Sequence, residues 1–465
     1  MFFIRFGLLL WFWMLASASY ATPLSFEAAW RQLQARHQGL AAERANVDQA
    51  EARRQAARAL FLPQLDLGAS YVHLEREIEL KGSDLNLGRV TTGEHGLDAI
   101  IQQVAQGISG LTLPLVEQNL VRASVTALWP LFTGGRITAA QDIRAAQLDE
   151  AQAQLRLREQ ALFETLAERY FTVVLARELL ATREQSRDSL ARHHEHAFKL
   201  EQRGQVARIE RLSAQAAYQN ARVKADNARR NLELAELALR DLVGDPGASP
   251  ANPLFVGSGL AALDEFMLKM EASHPAIRVL AAKLEQADGA IRAEQGRYYP
   301  EVFAFGNYSL HERDSISAQI SPDWVVGLGV KVSLMDRNGR GSLVQAARSA
   351  ELQVRHLVAQ TRQDLGLLVE QIWRQARQAQ EQYRALATTL VLAEENLRLR
   401  QHAFTQGLST SLEVTDAEVR LAGARTQQQA SAYQYVVSLA RLLAVSGQPD
   451  TFTQYQQQAA VQGNR

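Results

Sequence analysis

Positions 136 to 201 form a stretch of 66 residues with neither proline nor glycine. Read as one helix, that stretch is about 100 Å long at a rise of about 1.5 Å per residue. A domain of ordinary size has a radius of gyration of about 15 Å, so such a helix cannot be enclosed by one. It must belong to a rod or to a wall. A second stretch, 342 to 406, has the same character and is interrupted only by Gly366. Gly204 and Gly407 close the two stretches, and shorter helical runs return over about 205–243 and 409–445. Alanine, glutamine, leucine, arginine and glutamate dominate these runs, a composition suited to long helices.

The apolar spacing shows how such helices pack. Leu148, Leu155 and Leu162 lie seven apart, as do Leu166, Val173 and Leu180. In the second stretch Val358, Leu365, Ile372, Ala379, Leu386 and Ala393 form one row of sevens. Sustained sevens predict knobs-into-holes packing along a seam. Ala139, Ala140, Ala145, Ala146, Ala151 and Ala153 add small residues beyond that seam, where a second neighbour can approach. Two seams suit the wall of a cylinder; a two-stranded rod is the alternative.

The two halves repeat each other. Ala59 to Tyr71, with Pro63 and Tyr71, recurs as Gly296 to Tyr308, with Pro300 and Tyr308. Gly204 with Ile209-Glu210 recurs as Gly407 with Leu412-Glu413. Each half reads helix, two short strands, very long helix, glycine turn, returning helix. The expected organisation is a leader at 1–21, a first repeat at 22–245, a linker at 246–274, a second repeat at 275–446 and a loose, polar tail at 447–465.

Four short segments alternate in polarity. Val121, Ala123, Val125, Ala127 and Trp129 alternate with Arg122, Ser124 and Thr126. Trp324, Val326, Leu328 and Val330 alternate with Val325, Gly327, Gly329 and Lys331. Residues 65–80 and 302–310 are noisier partners, and the first changes phase near Tyr71. A period of two gives each strand one apolar and one polar face. Strands of about 10 residues with aromatic ends can cross an outer membrane. A small soluble sheet is the alternative. Four strands cannot close a barrel and lipid tolerates no open edge, so spanning would require several copies. The connection 81–119 is long and includes an amphipathic stretch near 97–104, read as a lid or as an ordinary surface insertion.

The chain opens with a basic residue, Arg5, an apolar run from Phe6 to Leu15 and small residues up to Ala21. This is the pattern of a secretory leader cleaved after Ala21; a membrane anchor is the alternative. Later in the chain no apolar run approaches the length of a spanning helix. The 50 basic and 50 acidic residues balance, which argues against nucleic acid as the main partner. With no cysteine, disulfides and thiol catalysis are excluded.

The ordered set of Leu24-Ser25-Phe26-Glu27-Ala28-Ala29-Trp30, Leu62-Pro63-Gln64-Leu65, Pro130-Leu131-Phe132-Thr133-Gly134-Gly135-Arg136 and the two glycine turns resembles the TolC-like outer membrane efflux proteins. The resemblance implies a mostly α fold with a small β part, in which duplicated long-helix hairpins form a periplasmic α-barrel. It also implies a homotrimer whose pooled strands make one 12-stranded transmembrane β-barrel in outer membrane lipid. Such a duct passively conducts substrate from an inner-membrane pump of the RND, ABC or MFS type, through a periplasmic adaptor, in tripartite efflux or type I secretion. It implies no catalytic site and no cofactor.

The same resemblance places the periplasmic aperture at Gly204 and Gly407. Glu413 and Asp416, three apart on one helix face, would form stacked acidic rings there, with Glu210 the first-half equivalent of Glu413. Where the family ties the closed aperture with a tyrosine and an arginine, this chain has Phe404 and Ser409. Arg208 and Arg211 are candidate replacements, pairing with Glu413 or Asp416. His193-His194-Glu195-His196 is the one metal-like cluster, but its spacing does not match HExxH and it reads as a polar helix face. Two other functional classes stay open: a soluble periplasmic coiled-coil adaptor or tether, and an exported metal-dependent enzyme using those histidines.

Overall fold

A computed structural model describes residues 23–86, 89, 95–311, 322–335, 337 and 339–463. The expected leader at 1–21 and most of the connection 311–322 lie outside the described residues. In chain order the elements are β1 (Pro23–Leu24), α1 (Phe26–Arg36), α2 (Gln38–Arg58), β2 (Gln64–His73), β3 (Ile78–Lys81), α3 (His95–Ser109), β4 (Thr112–Val116), β5 (Asn119–Phe132), α4 (Arg136–Gln202), α5 (Arg208–Val243), β6 (Ser249–Pro250), α6 (Leu263–Ser273), α7 (Pro275–Gly296), β7 (Glu301–His311), β8 (Trp324–Lys331), α8 (Arg340–Thr405), α9 (Ser411–Val445) and α10 (Phe452–Gly463). The two proline-free stretches are single helices of 67 and 66 residues. Gly366 does not break α8, because one glycine costs only about 1 kcal/mol against the many residues that favour the helix.

The chain divides into two compact units, and each draws elements from both repeats. One comprises Met1–Asp48, Asp149–Ala281 and His356–Arg465; the other comprises Gln49–Leu148 and Ala282–Arg355.

The first unit is helical. The predicted rows of sevens are buried in it: Leu162, Leu166 and Val173 on α4, and Leu365, Ile372 and Ala379 on α8. Its centre is an aromatic nest of Phe26, Phe163, Tyr170, Phe171, Phe255 and Phe452. Ser25 caps α1 by accepting the Ala28 N–H, and the helix presents Phe26, Ala29 and Leu33 to that nest. The buried Tyr170 hydroxyl donates to the Leu24 carbonyl at 2.7 Å and accepts the N–H groups of Ala251 and Asn252 at 3.0 Å. A single phenol thereby ties the start of the chain and the inter-repeat segment to α4. That segment is itself ordered, since β6 pairs in parallel with β1 and α6 buries Phe266 and Met270.

The end of the chain corrects an expectation. Within the expected loose tail at 447–465, the described part, 447–463, is ordered: α10 forms, and Phe452 is 1% exposed, 4.8 Å from the ring of Phe26. Glutamines dominate the exposed side, which hid from composition the aromatic pair, Phe452 and Tyr455, that packs the helix on the core.

The second unit carries the sheet. Its four strands are antiparallel in the order β2-β5-β7-β8, so among the described residues β2 and β8 are both free edges. Pro63 and Pro300 stand immediately before β2 and β7, as the repeat requires. Pro130, which lacks the N–H for a regular ladder, sits at a register shift in β5. Gly134 turns the strand into α4 with φ +63°, and a Cβ there would lie 2.3 Å from the Gly296 carbonyl oxygen. Each long helix then begins with an arginine that holds its junction. Arg136 donates to Glu301 at 2.6 Å, and Arg340 donates to the Ser333 carbonyl at 2.6 Å with its guanidinium over the Tyr298 ring. The phase change near Tyr71 marks where β2 ends and a separate two-stranded sheet, β3 with β4, begins.

Candidate functional site

The hairpin tips are built twice from one backbone recipe. Gly204 and Gly407 adopt φ +68° and +75°, a left-handed conformation that glycine accepts without strain. The Gly204 N–H donates to the Glu201 carbonyl and the Gln205 N–H to that of Leu200; Gly407 to Phe404 and Leu408 to Ala403 repeat both bonds. The recipes diverge three residues on. Thr410 begins α9 with a capping box: its hydroxyl accepts the Glu413 N–H at 3.3 Å, and Glu413 accepts the Thr410 N–H at 3.0 Å. The spacing Thr-x-x-Glu is the sequence signature of that box. The equivalent residue before α5 is Ala207, which has no side chain to cap with.

The carboxylate of Glu210 therefore has no box to close, and it reaches the neighbouring hairpin. It accepts the Ser411 N–H at 2.6 Å, at the first turn of α9. A carboxylate at a helix N-terminus satisfies an orphan donor and opposes the positive end of the helix dipole. This bond joins residues 201 apart in the chain and links the two hairpins at their tips.

Glu413 is similarly engaged. Ser409 donates to it at 2.6 Å, and Arg400 pairs with it at 2.9 Å. The Ser409 hydroxyl, then the Thr410 N–H, and more weakly Arg400 hold its carboxyl below the usual carboxylate range. Asp416 is exposed. The expected pairing of Arg211 with Glu413 or Asp416 is not made. Arg211 meets Glu201 at 2.5 Å, across the turn of its own hairpin, and also Gln215 at 3.2 Å. A partner only 10 residues away costs less chain entropy to reach than one in the other hairpin. Arg208 is exposed at the start of α5.

Phe404 does not line a surface. It is 1% exposed and anchors a small core with Ala197, Ala214, Leu397, Val414, Ala417 and Leu421. Its ring meets the edge of His193 at 4.5 Å. His193 is thus not on a polar face. It is buried, its Nε2 has no hydrogen-bond partner among the described residues, and burial pushes its pKa down to about 4. His194 stacks on Tyr218. Among the described residues no group of three His, Cys, Asp or Glu is placed to hold a metal.

In the second unit the sheet presents a continuous apolar face. Register aligns Leu65 and Leu67 on β2, Val125, Ala127 and Trp129 on β5, Ala304, Gly306 and Tyr308 on β7, and Trp324, Val326 and Leu328 on β8. These side chains are open rather than packed: Leu67 is 73% exposed, Val326 70% and Leu328 74%. Tyr308 and Trp324 pair directly at the end of the β7–β8 ladder. The opposite face carries Asp66, Ser70, Arg122, Ser124, Thr126 and Asn307, together with Phe303 and Phe305. Those two rings lie over Gly329 and Gly327, filling the space the glycines leave across the strands. Among the described residues no helix is long and apolar enough to cross a membrane.

The profile of the family described as outer membrane efflux protein matches residues 29–245 and 269–448. The chain is 26% identical over 352 residues to protein CyaE of Bordetella pertussis, covering 73% of each. It is 25% identical over 325 residues to the cobalt-zinc-cadmium resistance protein CzcC of Cupriavidus metallidurans, covering 68% of this chain and 75% of that one. Its fold is similar to the open-state MtrE outer membrane channel of Neisseria gonorrhoeae, with a TM-score of 0.71, 18% identity and coverage of 93% of both chains. The outer membrane protein VceC of Vibrio cholerae is similar to the same degree, with a TM-score of 0.71, 15% identity and coverage of 90% of this chain and 96% of that one.

Proposed function

From the premise that the chain belongs to the outer membrane efflux protein family, we propose that three copies pool their strands into one barrel and their hairpins into one duct. The protein is an outer membrane channel with a periplasmic extension, and it works with a periplasmic adaptor and an inner-membrane pump. The observation that carries the trimeric reading is the four-stranded sheet with two free edges and an exposed apolar face. Such a face is stable in hydrocarbon, but open edges are not, and joining β2 of one copy to β8 of the next removes both. The soluble tether leaves the same face in water, where a patch of that size is an aggregation hazard.

At the tips, the aperture reading rests on Asp416 more than on Glu413, whose oxygens already hold Ser409, Thr410 and Arg400. Conductance across a planar bilayer tests both levels. Discrete steps, blocked by divalent or trivalent cations from the periplasmic side, are expected. Asp416→Asn should relieve most of the block and Glu413→Gln less. A protein that gives no steps and sediments with the soluble periplasmic fraction would restore the tether; steps with an unaltered block in Asp416→Asn would remove the acidic ring alone.

A further inference from the structure

Helix α3 carries more apolar surface than its own chain covers. Its sequence spreads apolar residues over a broad arc. Asp98, Ile101, Ala105 and Ile108 form the half-buried side, whose Ile108 end approaches the 3-10 turn at Gly82–Leu85. Gly82 makes that approach tight: a Cβ there would lie 1.8 Å from the Ile108 carbonyl oxygen, and the Gly82 N–H donates to the Leu111 carbonyl at 2.8 Å. The rest of the arc is open. Leu97, Ile100 and Val104 are 50%, 59% and 52% exposed, and Leu111, just past the helix end, is 57% exposed. Gly107 continues the row, and nothing lies within 4 Å of the Cβ it lacks. Spacing of three and four with a small residue in the row is what a close helix–helix contact needs.

Position and charge select the occupant. α3 lies between β3 and β4, in the connection between β2 and β5, at the end of those strands away from α2 and α4. Helices that lie on anionic lipid carry lysine and arginine on their polar face. α3 has none, and Asp98 is its one acidic residue. An uncharged, self-complementary stripe suits a copy of itself. Three copies around one axis present three such helices at one mouth. Resting on the trimeric reading above, we infer that the Leu97–Ile100–Val104 stripes of three protomers pack on one another and narrow the outer mouth of the duct.

The chain has no cysteine, so a single introduced one takes a spin label without background. A nitroxide at Val104→Cys in the reconstituted protein should show strong dipolar broadening. The broadening should be lost when labelled chain is diluted with unlabelled chain before assembly. A label at Ala99→Cys, exposed on another side of the helix, should stay narrow. An unbroadened Val104→Cys label that is accessible to oxygen would place the stripe in lipid, and one accessible to a water-soluble relaxant would leave it in solvent; either overturns the inference. The mass of the same sample by light scattering separates the two levels: a trimer without broadening sinks the packed stripes alone, and a monomer sinks the trimeric reading with them. Ile100→Asp with Val104→Asp should raise unitary conductance, and unchanged conductance in a trimer would remove the narrowing.

Discussion

His193 shows how one side chain can couple the tip to pH. The buried ring sits against Phe404 of the tip core, with the charge of Glu210 on α5 acting on it and His194 and His196 on its own helix. Burial, and then the charge on His196, lowers its pKa from 6.5 to about 4. Because the folded value is the lower one, the unfolded chain binds the proton first as pH falls. The stability this residue contributes is full above pH 6.5 and is lost progressively toward pH 4. His193→Leu should flatten the acid side of the stability profile between those limits. Urea midpoints across pH check it, and an identical acid-side decline in the variant would assign the loss to other groups.

Among the elements, the strands make the sharpest claim about solvent. Leu328 is 74% exposed on β8, on the face read as meeting lipid, and Thr126 lies on the opposite face of β5. An arginine facing hydrocarbon near the bilayer midplane costs about 2–4 kcal/mol, while one facing the lumen is hydrated. Leu328→Arg should therefore destabilise the reconstituted protein by about that amount, and Thr126→Arg much less. Equal effects, measured by urea unfolding from lipid vesicles, would mean that the two faces share one solvent. The helical elements needed little help from tertiary structure. Their lengths, their glycine turns and the buried rows at Leu162, Leu166, Leu365 and Ile372 all follow from local spacing.

At the scale of the whole molecule, α10 matters beyond its 12 residues. Phe452 touches Phe26, Phe163, Phe171 and Phe255, so α10 closes a core begun by α1. Removing such a ring costs about 3–5 kcal/mol. Phe452→Ala should lower the unfolding free energy by about that amount, whereas Gln454→Ala on the exposed side should change it by under about 0.5 kcal/mol. Comparable urea midpoints for the two variants would mean that the nest tolerates the loss and α10 is peripheral.

Local chemistry alone determined the duplicated plan, the long helices, the glycine turns, the polarity of the strands and the presence of an amphipathic α3. Each depends on neighbours within a few residues, where period and propensity act. Three things were decided only by the folded chain. Glu210 meets Ser411, 201 residues away, because Ala207 offers it no capping box. Arg211 turns to Glu201 and leaves Glu413 to Arg400. Phe452 turns a glutamine-rich end into part of the core. Such pairings join groups that spacing along the chain does not relate, and only packing settles which partner each charge and ring will meet.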